Sequence, residues 1–439
     1  MRPRAYLDIF HPLVEGLKVR RAVVLLGPRR VGKTVLLHHS IEKLLKSGAD
    51  PRTICYISID HPLYNGLGLE ELLECWREAA GSVKRAKGGF VFFDEIQYLR
   101  DWEVHLKTLV DSHRGIKFIA SGSAAAALWL KSRESGAGRF TNFLLPPLTF
   151  HEFLHLQGRS VEYTTELDSS PPIPILKSPS VEDLNAEFLK YVNFGGYPEA
   201  LFSQAIQADP ARFIKSDIID KVLLRDLPSL YGIQDIQELN SLFTTLAFNT
   251  AQEVSLEGLS KGSGVAKNTI KKYIEYLEAA FLIKSVHRVD RSGKRFQRAN
   301  YFKVYLTNPS IWSALFSPVG PDDPAMPSLA ETAVFAQWFH HPTHVYYGRW
   351  DRGEVDLVGL DPRLRPSWVV EVKWSDRAAE HPEELRGVLG FVRDNGLRNL
   401  TVTTRSVAGG REFEGVRTVL MPTSLYCYIV SERILQAKD

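Results

Sequence analysis

The chain has 439 residues, more than one ordinary hydrophobic core organises, so its length predicts about three domains. Hydrophobic residues make up 44% of it and charged residues 24%, which excludes a disordered or fibrous protein. The net charge of +3 is too small to indicate nucleic-acid binding by itself. There is no apolar run of about 18 residues and the three cysteines lack metal-ligand spacing, so we expect a cytoplasmic protein without a membrane partner.

Residues 1–160 alternate short apolar runs with helical patterns. The strand-like runs are AVVLL, ICYISI, FVFF, KFIAS and NFLLPPL. Between such runs, TVLLHHSIEKLL and WEVHLKTLVDSH have the spacing of crossover helices. This alternation is typical of α/β proteins and predicts a mostly parallel sheet with helices on its faces.

The first apolar run leads into GPRRVGKT, which has the GxxxxGK-S/T pattern of a phosphate-binding loop between a strand and a helix. Its glycines let backbone N–H groups face a phosphate, and the helix N-terminus favours an anion. We expect Lys33 to reach the β- and γ-phosphates and Thr34 to bind Mg²⁺. The predicted nucleotide-binding residues are Gly27, Pro28, Arg29, Arg30, Val31, Gly32, Lys33, Thr34 and Val35.

A second part of this site is predicted by FVFFDEIQYL, where an apolar strand ends in two carboxylates. Asp94 would complete the Mg²⁺ shell and Glu95 would act as general base toward the attacking water. The next strand, KFIASGS, ends in hydroxyls, so Ser121 or Ser123 could sense the γ-phosphate, or could simply end the strand. No Asn-Lys-x-Asp guanine signature is present, which favours ATP over GTP.

Two segments follow this sheet. Residues 161–182 contain TTELDSSPPIPILKSPS, whose Pro and Ser content predicts a linker or surface excursion. Residues 183–240 have a mainly helical pattern, and we interpret them as a helical lid.

Residues 241–300 predict a winged-helix module. In SLEGLSKGSGVAKNTIKKYIEYLEAAFLI a short helix, a Gly-Ser turn and a longer amphipathic helix follow one another, and SVHRVDRSGKRFQRANYFKVY could form a two-stranded wing. The apolar stripe of the longer helix, which we expect to face a core, comprises Ile270, Ile274, Leu277 and Phe281.

This module carries a local positive charge. Between Lys261 and Lys303 there are eleven Lys or Arg and three Asp or Glu, so the rest of the chain is slightly acidic. Such clustering indicates DNA binding, while the alternative is a packing module with a solvated basic face. The predicted DNA-binding residues are Asn268, Thr269, Lys271, Lys272, Lys294 and Arg295.

Residues 301–439 show strand-like runs again. In RGEVDLVGL and SWVVEVKW, strand alternation puts Glu371 and Lys373 on one face and Asp356 at the matching place on the preceding run. Asp … Glu-x-Lys is the pattern of Mg²⁺-dependent phosphodiesterases of the restriction-endonuclease type, in which the carboxylates hold the metal and the lysine acts on the attacking water. Glu331 would add a carboxylate, and Glu354 is either a ligand or a solvated neighbour. The alternative is an antiparallel pair with a charged outer face.

The ordered motifs together resemble a group of archaeal and bacterial AAA-type P-loop ATPases that carry a C-terminal restriction-endonuclease-like domain of unknown function. The motifs are GPRRVGKT, FFDEIQYLRDW, IASGS, GRF with LPPLTFHEFL, NFGGYPEAL, LLRDL, EVD and EVK. The resemblance implies the catalytic-glutamate branch of P-loop folds, with the sensor strand between the phosphate-loop strand and the acidic strand. It also implies that Arg139 contacts the γ-phosphate, in cis or from a neighbour.

We therefore predict an α/β P-loop NTPase sheet, a helical lid, a winged helix and a mixed α/β nuclease-like domain. The leading hypothesis is an enzyme that binds and hydrolyses ATP with Mg²⁺, associates with DNA, and uses its C-terminal domain for Mg²⁺-dependent cleavage. The alternative is a nucleotide-dependent switch or adaptor that binds DNA or protein without cleaving it. A ring-forming motor is a third class, and the sequence leaves the oligomeric state open.

Overall fold

The structure is a computed structural model that describes residues 2–80, 89–122, 138–166, 172–294, 300–339, 345–351 and 353–436. The chain divides into two compact units. The first comprises Met1–Pro147 and Ala279–Phe281, and the second comprises Leu148–Glu278 and Leu282–Asp439.

The first unit is a parallel α/β structure. Its strands are β1 (Ala22–Leu26), β2 (Ile54–Ser58), β3 (Gly89–Asp94), β4 (Ile116–Gly122) and β5 (Phe140–Leu144). Its helices are α1 (Leu7–Glu15), α2 (Lys33–Lys46), α3 (Leu69–Ala79) and α4 (Trp102–Ser112). The five strands form one sheet in the order β2-β3-β4-β1-β5, and every pair in it is parallel. All five runs that the sequence indicated as strands are therefore in this sheet.

The order of the strands determines where a ligand can bind. All five residues of β1 are buried, as expected for the centre of a sheet covered on both faces. β4 lies between β1 and β3, which is the arrangement that the family resemblance implied. The phosphate loop after β1 and the carboxylates at the end of β3 consequently lie at the same carboxyl edge.

The second unit begins with a helix, a hairpin and a helical region. Its first helices are α5 (Phe150–Gln157), α6 (Val181–Phe194), α7 (Pro198–Phe202), α8 (Gln204–Ala208), α9 (Leu227–Tyr231) and α10 (Ile236–Phe248). The strands β6 (Glu162–Glu166) and β7 (Ile173–Ser178) form an antiparallel pair. Two π-helical segments, Ala211–Asp220 and Val222–Asp226, lie within the region predicted as a lid.

The remaining elements surround one large sheet. Its strands are β8 (Glu253–Ser255), β9 (Ile283–Val289), β10 (Tyr301–Leu306), β11 (Val345–Trp350), β12 (Gly353–Leu360), β13 (Pro366–Glu371), β14 (Asn399–Thr404), β15 (Gly409–Phe413) and β16 (Val416–Pro422). The helices are α11 (Leu256–Ser263), α12 (Lys267–Ala279), α13 (Ser310–Leu315), α14 (Met326–Trp338), α15 (Arg377–Glu380), α16 (Arg386–Asp394) and α17 (Thr423–Gln436).

This nine-stranded sheet has the order β15-β16-β14-β13-β12-β11-β9-β10-β8. β9 and β10 are antiparallel neighbours, as predicted for the two strands of the wing, and β9 also pairs with β11 in parallel. Hydrogen bonding therefore continues from the region predicted as a winged helix into the region predicted as nuclease-like. The predicted boundary at residue 300 lies between two strands of the same sheet.

The apolar stripe of α12 is confirmed. Ile270, Ile274 and Leu277 are buried on α12, and Phe281, which is also buried, lies beyond the end of the helix at Ala279. Amphipathic spacing thus identified the inner face of this helix correctly, because burial of one stripe is what stabilises such a helix in a protein. Among the described residues, we find no helix with both the length and the apolar character that crossing a membrane requires.

Candidate nucleotide site and carboxylate cluster

The phosphate loop connects β1 to α2 through a backbone that suits few residue types. Gly32 caps α2 with a φ of 89°, and Arg30 has a φ of 63°. Gly27 lies so close to the next segment that a Cβ atom there would be 2.2 Å from the Leu145 carbonyl oxygen. The loop therefore has the left-handed turns that direct backbone N–H groups inward.

Lys33 is enclosed by this loop. Its side chain is buried, and Nζ donates hydrogen bonds to the carbonyl oxygens of Gly27, at 3.0 Å, and Pro28, at 2.7 Å. Burial lowers the pKa of Lys33 to about 8, although the charges of Glu95 and Asp94 act in the opposite direction. The ammonium thus lies within electrostatic range of both carboxylates, where a phosphate would find a positive partner.

Asp94 is held by several donors at the end of β3. The Tyr56 hydroxyl donates to it at 2.7 Å, the Glu95 backbone N–H at 3.1 Å, and the Ser121 hydroxyl also donates to it. Asp94 is only 1% exposed, so these hydrogen bonds provide most of its solvation. Ser121 binds the carboxylate in this arrangement, its sensor role stays a prediction, and Ser123 lies outside the described residues.

Glu95 follows with a left-handed backbone, φ 53°, at the point where the chain leaves β3. The Gln97 side-chain amide donates to its carboxylate. Glu95 is only partly buried, so its carboxylate can contact a water molecule as a general base must. Gln97 was missed by sequence reasoning, because an amide two residues from an acid is no signal by itself.

The donor set fits Mg²⁺. Thr34 lies in the first turn of α2, and Asp94 presents a carboxylate at the same edge of the sheet. Hydroxyl and carboxylate oxygens are the ligands that Mg²⁺ prefers, with phosphate oxygens completing the shell. We therefore expect Thr34 and Asp94 to hold Mg²⁺ against the phosphates of a bound nucleotide.

Arg139 lies too far from the phosphate loop of its own chain to contact a nucleotide bound there. It precedes β5, and its carbonyl accepts from the Ala22 N–H, at the amino end of β1. The loop follows the carboxyl end of β1, about 16 Å away for a five-residue strand. The Arg139 guanidinium pairs instead with Asp111 at 2.6 Å. The structure therefore contradicts a contact between Arg139 and the γ-phosphate bound to its own chain. A contact between Arg139 and the γ-phosphate of a neighbouring subunit stays a prediction.

Arg4 is a further residue that sequence reasoning missed. Its side chain is 5% exposed, and Nη1 donates to the carbonyl oxygens of Val31 and Pro146, both at 2.8 Å. It therefore fixes the phosphate loop to the segment that follows β5. No motif includes this arginine, so only the fold reveals its contact.

In the second unit, the Asp … Glu-x-Lys residues do converge. Asp356 on β12 accepts a hydrogen bond from the Val372 N–H at 2.8 Å, next to Glu371 at the end of β13. Lys373 Nζ lies 2.7 Å from Glu371 Oε1. Burial, followed by the charge of Asp356, raises the pKa of Glu371 to about 8.

Glu331 contacts other partners. Its Oε1 accepts from the Tyr305 hydroxyl at 2.7 Å and lies 2.8 Å from Lys303 Nζ. Burial, followed by Asp356, raises the pKa of Glu331 to about 7. Among the described residues, no three His, Cys, Asp or Glu side chains are grouped so that they could hold a metal ion. The predicted metal set of Glu331, Asp356 and Glu371 is therefore not assembled, because a lysine lies among its carboxylates.

That lysine is Lys303, on β10, and sequence reasoning did not single it out. Its Nζ lies 2.6 Å from Glu354 Oε1 and 3.5 Å from Asp356 Oδ1, in addition to Glu331. Burial lowers the pKa of Lys303, but the surrounding carboxylates outweigh burial and raise it well above its usual value. The only sequence signal was a lysine within the apolar strand YFKVYL.

Four of the predicted DNA-binding residues, Asn268, Thr269, Lys271 and Lys272, lie in α12, and Lys294 lies in the turn after β9. Asn268, Lys271, Lys272 and Lys294 are exposed, whereas Thr269 is half-buried. Lys271 Nζ is 4.0 Å from Glu275 on the same helix, a weak exposed pair. The exposed cations are therefore available to a phosphate backbone. Arg295 lies outside the described residues.

Two family profiles match parts of the chain. Residues 19–154 match an AAA domain. Residues 185–322 match a domain of unknown function (DUF8612). The first match contains the phosphate loop, both carboxylates at the end of β3, and Ser121. The second contains Lys303 and ends before Glu331.

Related proteins cover most of the chain. An uncharacterized protein of Methanocaldococcus jannaschii, MJ1544, is 26% identical over 346 residues, which are 76% of this chain and 71% of that protein. An uncharacterized protein of Haemophilus influenzae is 25% identical over 342 residues, 76% of this chain and 78% of that protein. The solved structure of the Walker-type ATPase of Pyrococcus abyssi aligns with a TM-score of 0.38 at 15% identity, over 72% of this chain and 98% of that one.

Proposed function

We propose, from the AAA-type P-loop ATPase domain at residues 19–154, that the protein is an ATP-driven switch whose second unit binds DNA. The observation that carries the ATPase part is the convergence of Lys33, Asp94 and Glu95 at one edge of a parallel sheet. These are a cation for the phosphates, a Mg²⁺ ligand and a general base, the three parts that phosphoryl transfer to water needs.

Each residue has a distinct role in this proposal. Lys33 exchanges its backbone partners for the β- and γ-phosphates, and the loop N–H groups hold the phosphate chain. Asp94 and Thr34 would hold Mg²⁺, which would supply positive charge to neutralise the phosphates. Glu95 orients and deprotonates the attacking water, and Gln97 positions the Glu95 carboxylate. Tyr56 and Ser121 orient the Asp94 carboxylate through their hydrogen bonds.

The test of the ATPase part is a pair of variants that separate binding from hydrolysis. Glu95→Gln should bind ATP about as tightly as the wild type but lower kcat by about 10²-fold or more, because only the general base is removed. Lys33→Ala should lose nucleotide binding itself. Binding would be measured with a fluorescent ATP analogue, and hydrolysis by phosphate release. Unchanged turnover in Glu95→Gln would exclude the assigned base.

DNA binding is supported by the order of elements around α12. A short strand, two helices and a two-stranded antiparallel ribbon follow one another as β8, α11, α12, β9 and β10, the order found in winged helices. The exposed Lys271 and Lys272 lie near the start of the second helix, where a recognition helix meets DNA. In this proposal residues 183–240 form the lid, residues 241–300 the winged helix, and residues 301–439 a nuclease-like domain.

The competing proposal is Mg²⁺-dependent cleavage by the second unit. It is favoured by one observation, the convergence of Asp356 on β12 with Glu371 and Lys373 at the end of β13. A panel of single-stranded, duplex and junction DNA, with Mg²⁺ or Mn²⁺ and with or without ATP, separates the two proposals. A non-cleaving switch leaves every substrate intact, whereas cleavage that disappears in Asp356→Ala combined with Lys373→Ala would establish a nuclease.

A further inference from the structure

The carboxylate cluster of the second unit contains four acids and two lysines. Glu331, Glu354 and Asp356 surround Lys303 Nζ at 2.8, 2.6 and 3.5 Å, and Glu371 lies 2.7 Å from Lys373 Nζ. Every carboxylate of the predicted metal set is thus within ion-pair distance of an ammonium nitrogen. A divalent ion would have to displace the Lys303 ammonium to contact Glu331, Glu354 and Asp356.

The position of Lys303 is built into the sheet. Its side chain is 3% exposed, and β10 is flanked on both sides by β9 and β8, so the strand cannot shift without breaking two ladders. The Tyr347 ring also packs against this lysine, with its centre 5.5 Å from Lys303 Nζ. A lysine enclosed in this way has no exposed alternative position for its ammonium.

A second set of contacts ties the same cluster to β8. Glu253 lies opposite Lys303 in the β8–β10 register and accepts a hydrogen bond from the Tyr347 hydroxyl at 2.6 Å. Arg349 Nε lies 3.8 Å from Glu253 Oε1, and Arg349 Nη1 lies 3.4 Å from Glu354 Oε2. Glu354 on β12 is therefore paired with Arg349 of β11, which Glu253 of β8 also contacts.

We propose that the Lys303 ammonium is the resident cation of this cluster, where it neutralises Glu331, Glu354 and Asp356 in place of a divalent metal ion. In a metal-dependent phosphodiesterase, paired carboxylates are held together by the ion between them. Here the strand β10 supplies the positive charge from within the chain. The inference rests on the proposed function and deepens it, because carboxylates already paired with a lysine are not free to hold the metal ion that cleavage needs.

The test replaces the ammonium by a neutral side chain of similar length. Lys303→Met removes the ammonium that Glu331, Glu354 and Asp356 share, which should lower the thermal midpoint of the full chain by about 10 °C. About 1 mM Mn²⁺ should then raise the midpoint of this variant by about 5 °C, because the ion replaces the ammonium. The nucleotide-free wild type should show no such shift. Manganese binding would be counted independently by electron paramagnetic resonance.

The matched control is Lys284→Met, which changes an exposed lysine on the neighbouring strand β9 and should behave as the wild type does. If Lys303→Met does not fold, Lys303→Met combined with Glu331→Gln removes one of the unpaired carboxylates and should still bind Mn²⁺ through Glu354 and Asp356. A wild type that binds Mn²⁺ as tightly as these variants would overturn the proposal, as would variants that gain no Mn²⁺ binding. Neither result depends on ATP hydrolysis or DNA binding, so failure here is distinguishable from failure of the proposed function.

Discussion

At the scale of single residues, two buried lysines occupy opposite environments. Lys33 faces backbone carbonyls of its own loop, and burial lowers its pKa to about 8. Lys303 faces three carboxylates, which raise its pKa well above the usual value despite burial. The first arrangement leaves the ammonium ready to exchange its partners for an anion, whereas the second holds the ammonium firmly. In our proposal, lysine therefore binds a ligand in the first unit, as Lys33, and neutralises carboxylates in the second unit, as Lys303.

His11 in α1 predicts how the free energy of opening α1 from α2 depends on pH. Its Nδ1 lies 2.8 Å from the hydroxyl of Ser40 in α2, and its Nε2 lies 3.2 Å from Glu15. Burial lowers the pKa of His11 below 6.5, with Lys43 acting in the same direction and Glu15 and Asp8 against it. Since the unfolded imidazole takes up a proton more readily, the free energy of opening α1 from α2 should fall as pH drops below about 6.5.

Hydrogen exchange of the α1 and α2 amides, corrected for intrinsic rates, measures this free energy. His11→Gln should make the free energy of opening depend less on pH below about pH 6.5. Above about pH 7.5 its pH dependence should be the same in the variant and the wild type, because the imidazole is neutral in both states. An unchanged slope in the variant would contradict the assignment.

At the scale of elements, strand ends determine which predicted residues meet. Lys33 and Asp94 come together because parallel strands place their carboxyl ends at one edge of the sheet. Arg139 cannot contact a phosphate there, because it lies at the opposite edge. The local motif predicted the first pair, since loop, strand and helix are consecutive in sequence. Tyr56, Arg4 and Lys303 could not be predicted, because each contacts residues that only the fold brings near.

Helix α12 carries the prediction for DNA. Replacing Lys271 and Lys272 by Glu should weaken duplex binding, and the dependence of log K on log salt should become shallower by about 0.9 for each phosphate that the protein no longer neutralises. Binding would be followed by fluorescence anisotropy at several salt concentrations. The matched control, Lys18→Glu with Lys177→Glu, makes the same charge change at two exposed positions elsewhere. Equal effects from both double variants would indicate a response to net charge alone.

At the scale of the whole molecule, the proposal requires that the ATPase domain and the DNA-binding surface influence each other. Allosteric coupling of about 1–3 kcal/mol corresponds to roughly 5- to 150-fold in affinity. We therefore expect Glu95→Gln with bound ATP to differ from Lys33→Ala in DNA affinity by at least about 5-fold. DNA should change the ATP affinity of Glu95→Gln by the same factor, because linkage is reciprocal. Identical affinities in the two variants would mean that the units act independently.

The continuous nine-stranded sheet has a consequence for how this chain can be divided or recombined. A cut between β9 and β10 would separate strands that are hydrogen-bonded along five residue pairs, and would expose edges that invite aggregation. It would also leave Lys303 attached to the C-terminal fragment but without the strands that enclose it. We therefore expect that exchanging the elements proposed to bind DNA between relatives succeeds only when the whole sheet is exchanged.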